Sequence, residues 1–376
     1  MGKQDSCKEG ACVPLAMYKM RILHVITSLR AGGAEKLMID LLPRLKAMGH
    51  EVDLCVFDGV RTPFYEEIER RGVKVIALGH SAYSPLFVLK LARLMKGYDV
   101  VHSHNTSCQY YVAMAGLVNK CRIFTTEHNT TNRRRSTRWR MFDRWMYGRY
   151  EKIVCITELT MSNLLVHIGD DFAERCVVVY NGIDLSKFRQ DKLLRHDPSG
   201  EKFVVMVSAF REQKDQKTLI RAMELLPDDY MLLLVGGGEK YLIDDCKDLA
   251  RFLGVKKRVR FLGVRTDVVS LLREADVVVL SSHYEGLSLS SLEGMASGRP
   301  FVASDVPGLR DVVGGYGVLF PHEDYHALAH EIKMLCDDLE YRDMVCRRCY
   351  ERAMMFDISL MANAYMGLYV NSMESK

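Results

Sequence analysis

The chain alternates short apolar runs with longer stretches in which apolar residues recur every three or four positions. Met20-Arg-Ile-Leu-His-Val-Ile-Thr27 opens the series, a run of the kind that fills a buried parallel strand. Leu37, Leu41, Leu42 and Leu45 then keep helical spacing, so a helix is predicted after Gly32 and Gly33. Strand-like runs recur at Val52–Phe57, Val73–Leu78, Val100–His102, Cys121–Thr125 and Lys152–Ile156, and Arg175–Tyr180 closes the set. The stretches between them exceed the dozen or so residues that a right-handed helical crossover between parallel strands needs. A second series follows at Phe203–Ser208, Tyr230–Val235, Val259–Leu262, Asp276–Leu280, Pro300–Ala303 and Gly317–Phe320. Two alternating halves of comparable length predict an α/β chain of two doubly wound, Rossmann-like parallel-sheet domains facing across a cleft.

The breaks in this pattern set the expected boundaries. Residues 1–19 carry neither a strand nor the apolar core of a secretory signal, and are expected to be a disordered extension. The first domain then covers 20–184, ending on the turn signal Asn181-Gly-Ile-Asp184. Residues 185–201 are polar, contain Pro198-Ser-Gly200 and are expected to be a linker; the second domain covers 202–355. Residues 356–376 hold an amphipathic helix, starting at Asp357 or Ser359.

Composition narrows the class. With 376 residues, 48% hydrophobic and 27% charged, the chain is an ordinary globular protein of two-domain length. No apolar run reaches the roughly 18 to 20 residues needed to span a bilayer. Eleven cysteines are scattered, and Cys55, Cys155 and Cys176 lie in apolar runs, which suits reduced thiols in a cytoplasmic chain. Cys346 and Cys349 have metal or redox spacing, but they sit in a charged helical segment with no second pair nearby. The net charge of +4 makes no case for nucleic acid. Its distribution is uneven, since Arg133, Arg134, Arg135, Arg138, Arg140, Arg144 and Arg149 crowd one segment with Trp139 and Trp145. That segment is either a solvated face or a contact for an anionic membrane surface or polyanionic acceptor.

The chemistry concentrates in Ser281-Ser-His-Tyr-Glu-Gly-Leu-Ser-Leu-Ser-Ser-Leu-Glu-Gly-Met-Ala-Ser-Gly-Arg-Pro300. A strand, a glycine turn and a helix start near Ser290 aim backbone N–H groups and a helix dipole at one point, a seat for phosphate. Ser288, Ser290 or Ser291 is expected to cap that helix. Glu285 and Glu293 would repel a phosphate unless they bind hydroxyls of the same ligand, as carboxylates bind the paired O–H groups of a ribose or sugar. The stretch therefore reads as a nucleotide-sugar site. Arg211, Lys214 and Lys217 follow the first strand of the second half and supply the cations that a departing diphosphate needs. Gly237, in Val235-Gly-Gly-Gly-Glu239, lies in either a flexible turn or a ligand-approach turn, and Val264 and Arg265, in Phe261–Asp267, could place backbone against a nucleobase. Gly32 and Gly33 are either a plain turn or a diphosphate- or acceptor-facing loop.

The pattern of Glu285, Glu293, the following Gly-Met-Ala-Ser-Gly-Arg-Pro and Ala303-Ser-Asp-Val-Pro-Gly-Leu-Arg310 resembles the signature of family 4 (group 1) retaining glycosyltransferases of the two-domain GT-B type. The resemblance covers nearly the whole chain from Met20. It implies a hexose or N-acetylhexosamine transferred with retention from a nucleoside diphosphate sugar, most commonly a UDP-sugar. The acceptor would be a hydroxyl of a glycan or lipid-linked glycan, in surface polysaccharide, lipopolysaccharide or glycolipid assembly at the cytoplasmic face of a membrane. It also implies that Glu293 holds the donor ribose, that Glu285 and His128 lie by the transferred sugar, and that the backbone of Gly286, Leu287, Ser288 and Leu289 meets the diphosphate. Lys214 matches the phosphate-binding lysine; where the family usually has an arginine five residues earlier, this chain has Ala209, and Arg211 is assigned that work. His104 is expected to line the cleft. By the same resemblance the last helix crosses back onto the first domain and ties the two together; a partner-binding helix is the alternative. Without an Asp-x-Asp motif, no metal or other cofactor is expected, the cations taking its place. The alternatives are an epimerase or phosphorylase of the same shape, or a non-catalytic nucleotide-sugar binding protein.

Overall fold

The computed structural model describes residues 19–30, 32–81, 83–128, 138–188 and 200–374. Seven strands build the first sheet: β1 (Arg21–Ile26), β2 (Glu51–Asp58), β3 (Lys74–Gly79), β4 (Val100–His104), β5 (Arg122–Glu127), β6 (Lys152–Cys155) and β7 (Cys176–Val178). Their order is β3-β2-β1-β4-β5-β6-β7. The second sheet holds β8 (Lys202–Val207), β9 (Tyr230–Val235), β10 (Val259–Gly263), β11 (Val277–Leu280), β12 (Phe301–Ser304) and β13 (Val318–Phe320), in the order β10-β9-β8-β11-β12-β13. All pairings between these strands are parallel, so each crossover needs a helix to bring the chain back. Each expected strand is present close to its predicted bounds. The helix Gly33–Ala47 buries Leu37, Leu41, Leu42 and Leu45, the four positions whose spacing announced it. Strand order reverses between β1 and β4, and again between β8 and β11, and crevices for ligands open at such reversals.

The expected linker is corrected at its start. Leu185 and Phe188 are buried in the core of the second sheet, because they are apolar positions inside an otherwise polar stretch. Residues 189–199 of that segment, and 1–18 of the expected extension, lie outside the described residues.

The chain passes between the two halves twice, and the passages are hydrogen-bonded to each other. The Ile183 N–H donates to the Phe356 carbonyl at 2.9 Å, and the Ile358 N–H donates to the Ile183 carbonyl at 2.9 Å. Gly182 makes this approach possible, since a Cβ there would lie 2.5 Å from the Ile358 Cα. Gly182→Ala is therefore expected to cost about 1–3 kcal/mol in overpacking, read as a fall of several degrees in Tm; an unchanged Tm would show that the crossing yields. Beyond it the helix Ile358–Glu374 lies on the first sheet, with Met361, Ala362, Tyr365, Met366 and Tyr369 buried in the core that holds Leu37, Leu41, Val100 and Phe124. Of the two expectations for the tail, packing on the first domain is the one observed.

Candidate functional site

The loop after β11 is tied to the loop after β8. Glu285, 6% exposed, has its Oε1 2.5 Å from Lys214 Nζ. The Ser282 hydroxyl donates to the same oxygen at 2.6 Å, and Gln213 Nε2 donates to Oε2 at 3.4 Å and to the Tyr284 carbonyl at 2.7 Å. The His283 N–H closes the seam on the Gln213 carbonyl at 2.8 Å. Asp215, in the left-handed region at φ 46°, turns the chain just after Lys214 and caps the helix Gln216–Leu225 through the Thr218 N–H. A cation and a carboxylate thus meet at the carboxyl ends of β8 and β11, the switch point of the second sheet.

From Glu285 the chain runs through Gly286 into Leu287 and Ser288, both buried. The Leu287 side chain belongs to the core, so only its backbone is offered to a ligand. The helix Leu289–Ala296 then starts without a side-chain cap: Ser288 stands at the capping position, but its side chain makes no capping hydrogen bond. Ser291 does not cap either, its hydroxyl donating back to the Ser288 carbonyl at 2.7 Å. The capping expectation fails here. Gly308, at φ 84°, presses on this turn from below, and a Cβ there would sit 2.2 Å from the Glu285 carbonyl oxygen. The Pro-Gly step after β12 therefore sets the path of the turn.

Glu293 lies one turn into the helix, 6% exposed. Its carboxylate is paired with Lys36, from the first crossover helix of the other domain. Leu289 likewise packs against both cores. Lys36→Met would leave a buried carboxylate without its cation, at a cost of about 1–3 kcal/mol. The variant should melt a few degrees lower than wild type and gain more from a bound nucleotide, whose hydroxyls would take the vacant place; equal gains would separate Lys36 from this site.

The loops after β8, β9 and β10 lie side by side. The Phe210 N–H donates to the Gly237 carbonyl at 2.8 Å, and the Gly236 N–H donates to the Gly263 carbonyl at 2.8 Å. A Cβ on Gly237 would lie 2.9 Å from Val264 Cγ2, so the structure brings these two expected residues together. The Arg265 guanidinium is exposed and forks onto Asp267 at 2.6 and 2.8 Å. Across the cleft, Gly32 leaves room for a carboxylate of the chain itself. Glu35 folds back so that its Oε2 would be 2.2 Å from a Cβ on Gly32. Burial raises the Glu35 carboxyl above its usual range, while hydrogen bonds from backbone and Asn105 and the charge of Arg211 draw it down. Gly32 thus accommodates Glu35, whereas a Cβ on Gly33 would meet nothing within 4 Å; exposed Arg211 faces the first domain as well as the second.

At the carboxyl end of the first sheet, His128 Nε2 is 3.0 Å from His104 Nδ1, and His104 Nε2 is 2.9 Å from His24 Nδ1. His24 and His102 are register partners on β1 and β4. His104 is fully buried, so it stands behind His128 instead of lining the cleft. Beside it, His102 bonds the Tyr369 hydroxyl at 2.6 Å and the Thr126 hydroxyl at 2.7 Å; Thr126 also meets the Tyr365 hydroxyl at 2.7 Å. Burial lowers all four imidazoles, His24 to about 3 and His128 to about 4, so the row is neutral. The ring nitrogens of His24 and His104 face each other at 2.9 Å, a hydrogen-bond distance.

The arginine-rich segment is divided. Arg133, Arg134 and Arg135 lie outside the described residues, and Arg138, Arg140 and Arg149 are exposed. Arg144 is not a free surface charge, because its guanidinium is held by Asp171 at 2.7 and 2.8 Å and by the Ile168 carbonyl. Asp143 is likewise internal, bonded by Tyr110 and by His167 at 2.7 Å. Met141 is 85% exposed and Trp139 47%, on the outer side of the helix Arg140–Tyr147. Cys346 and Cys349 belong to the helix Leu339–Met354, where burial raises both thiols, to about 11 and about 12.

Lys36, Glu35, Gln213, Ser282 and His24 were not among the residues expected from sequence. The one linear hint of Lys36 is a cation in the first turn of the helix that follows the glycine pair.

Two Rossmann-like sheets facing across a cleft, with the cation, carboxylates and helix start at the second switch point, have the architecture of the GT-B type. Residues 31–187 match the family described as Glycosyltransferase Family 4, and residues 201–338 match Glycosyl transferases group 1. The chain belongs to these group 1, family 4 glycosyltransferases. It is 24% identical over 361 residues to a Campylobacter jejuni N-acetylgalactosamine-N,N'-diacetylbacillosaminyl-diphospho-undecaprenol 4-alpha-N-acetylgalactosaminyltransferase, covering 91% of this chain and 96% of that one. To a Mycobacterium leprae phosphatidyl-myo-inositol mannosyltransferase it is 25% identical over 357 residues, covering 90% and 92%. Among solved structures, Anabaena HepE in complex with UDP and glucose superposes with a TM-score of 0.81 at 20% identity, over 95% of this chain and all of that one.

Proposed function

We propose that the protein moves a hexose or N-acetylhexosamine from a nucleoside diphosphate sugar, a UDP-sugar, to a hydroxyl of a glycan or lipid-linked glycan, with retention and without a metal. The observation that carries this reading is the pairing of Lys214 with Glu285 beside the Gly286–Leu289 turn and an uncapped helix start. The donor diphosphate lies along that turn, and its β-phosphate draws Lys214 as the bond from the anomeric carbon to phosphate oxygen breaks and the electron pair leaves with the phosphate. Arg211 and the helix start share the developing charge. Glu293 takes the ribose hydroxyls, while Glu285 and His128 hold the sugar. Gly237, Val264 and Arg265 border the base. The acceptor hydroxyl bonds to the anomeric carbon on the face the diphosphate leaves, and its proton passes to the departing phosphate oxygen. The Campylobacter and Mycobacterium relatives, whose names include a lipid-linked sugar and a phosphatidylinositol as acceptors, support a lipid-linked acceptor.

Among the described residues no helix is long and apolar enough to cross a membrane. Exposed Arg138 and Arg140 beside Trp139 and Met141 suit peripheral contact with an anionic bilayer on the cytoplasmic side.

A thermal-shift panel of UDP, GDP, ADP and their sugars tests the donor, and a selective UDP shift is expected. Transfer assays with anomeric analysis of the product should show retention, and EDTA should leave the rate unchanged. No shift with any nucleotide, or an EDTA loss restored by manganese, would overturn the corresponding part. Sedimentation with phosphatidylglycerol vesicles at low salt is expected, and no binding there would remove the membrane contact.

A further inference from the structure

We propose that His24 and His104 set the tautomer of His128, so that it meets the transferred sugar as an Nδ1–H hydrogen-bond donor and not as a base. The three rings form a file joined by N···N contacts of 3.0 and 2.9 Å. Centroids 5.2 Å apart at 15° between planes place His24 and His104 edge to edge, the arrangement of a hydrogen bond in the ring plane. Three neutral imidazoles carry three ring protons, and each contact holds one. The third must reside on an outer nitrogen, either His24 Nε2 or His128 Nδ1. His24 Nε2 is buried and has no hydrogen-bond partner among the described residues. A buried orphan N–H is rarer than a bare acceptor, so the proton is excluded from that end. His24 Nδ1–H then donates to His104 Nε2, His104 Nδ1–H donates to His128 Nε2, and His128 carries its proton on Nδ1. The ring of His102, parallel to that of His104 with centroids 4.7 Å apart and anchored on Tyr369 and Thr126, holds the file in register. Burial keeps the rings uncharged, which supports the count. An N–H aimed at the sugar fits an oxygen lone pair, on a hydroxyl or on the carbonyl of an N-acetyl group. His24 and His104 are thus positioning residues that act through His128.

The inference rests on the reading that places His128 beside the sugar, but the tautomer is measured on protein without ligand and fails or holds separately. The test is a two-bond proton–nitrogen NMR correlation on full-length protein labelled with 15N-histidine, with His128 assigned by its loss in His128→Gln. His128 protonated on Nδ1 is expected; protonation on Nε2, or on both nitrogens, overturns the proposal. His24→Asn keeps an amide N–H near the place of Nδ1 and is expected to preserve the His128 signals. His24→Phe removes the donor, and should mix the His128 tautomers and lower kcat/KM about fivefold, the equivalent of one neutral hydrogen bond, with UDP binding unaltered. A folded His24→Phe protein with an unchanged His128 spectrum overturns the relay. Where neither His24 variant folds, the wild-type spectrum decides.

Discussion

Lys214→Ala is expected to lower kcat by about 10²–10³, the cost of removing one preorganised donor to charge that develops in a transition state. The donor KM should move far less, because the lysine meets its largest charge only as the glycosyl–phosphate bond breaks. The structure adds a second effect to be separated from the first. Lys214 also neutralises Glu285, which is nearly inaccessible and, among the described residues, would keep Ser282 and Gln213 as side-chain partners. The variant should therefore melt lower than wild type, and single-turnover rates need measuring well below that temperature. Lys214→Ala combined with Glu285→Gln removes the stranded carboxylate, and should restore much of the Tm without restoring turnover. Wild-type kcat in the single variant would take Lys214 out of the chemistry.

Glu293→Ala is expected to act on binding. A hydrogen bond to a charged group contributes about 1.5–3 kcal/mol, so the nucleotide dissociation constant should rise on the order of 10- to 100-fold. At 100 times the wild-type dissociation constant, UDP would stabilise wild type by about 2.7 kcal/mol and the variant by much less. Saturating donor should recover most of kcat. A fall in kcat that excess donor leaves in place would move Glu293 from the ribose to the reacting centre. Glu293→Gln, which keeps one acceptor oxygen, should lie between the two.

The sheets were legible because parallel strands are buried on both faces and read as plain apolar runs, so β1 through β13 stand close to where the pattern put them. The turn after β11 was legible for a different reason: Glu285, Gly286 and Glu293 are close in sequence, and their geometry follows from one strand, one turn and one helix. Lys36 and Glu35 were not, because only the packing of one domain against the other brings Lys36 to Glu293 and Arg211 toward Glu35. The file of histidines was hidden too. It depends on register, which sets His24 opposite His102 and His104 opposite Thr126, and register between distant strands leaves no local trace. Two expectations failed on local chemistry, since serines in the first turn of a helix need not cap it, and Leu185 and Phe188 were apolar enough to find a core.

The returning helix bears on how such a chain is made. Strands β1 to β7 leave the ribosome well before Ile358 is added, and until then His102, Thr126 and Phe124 lack the cover that Tyr365 and Tyr369 give them. A product that stops short of Ile358 exposes an apolar, histidine-bearing surface of the kind that holds a nascent domain on chaperones or drives it to aggregate. The first half of the protein is finished by a helix synthesised after the whole second half, and its solubility comes to depend on synthesis continuing through that helix.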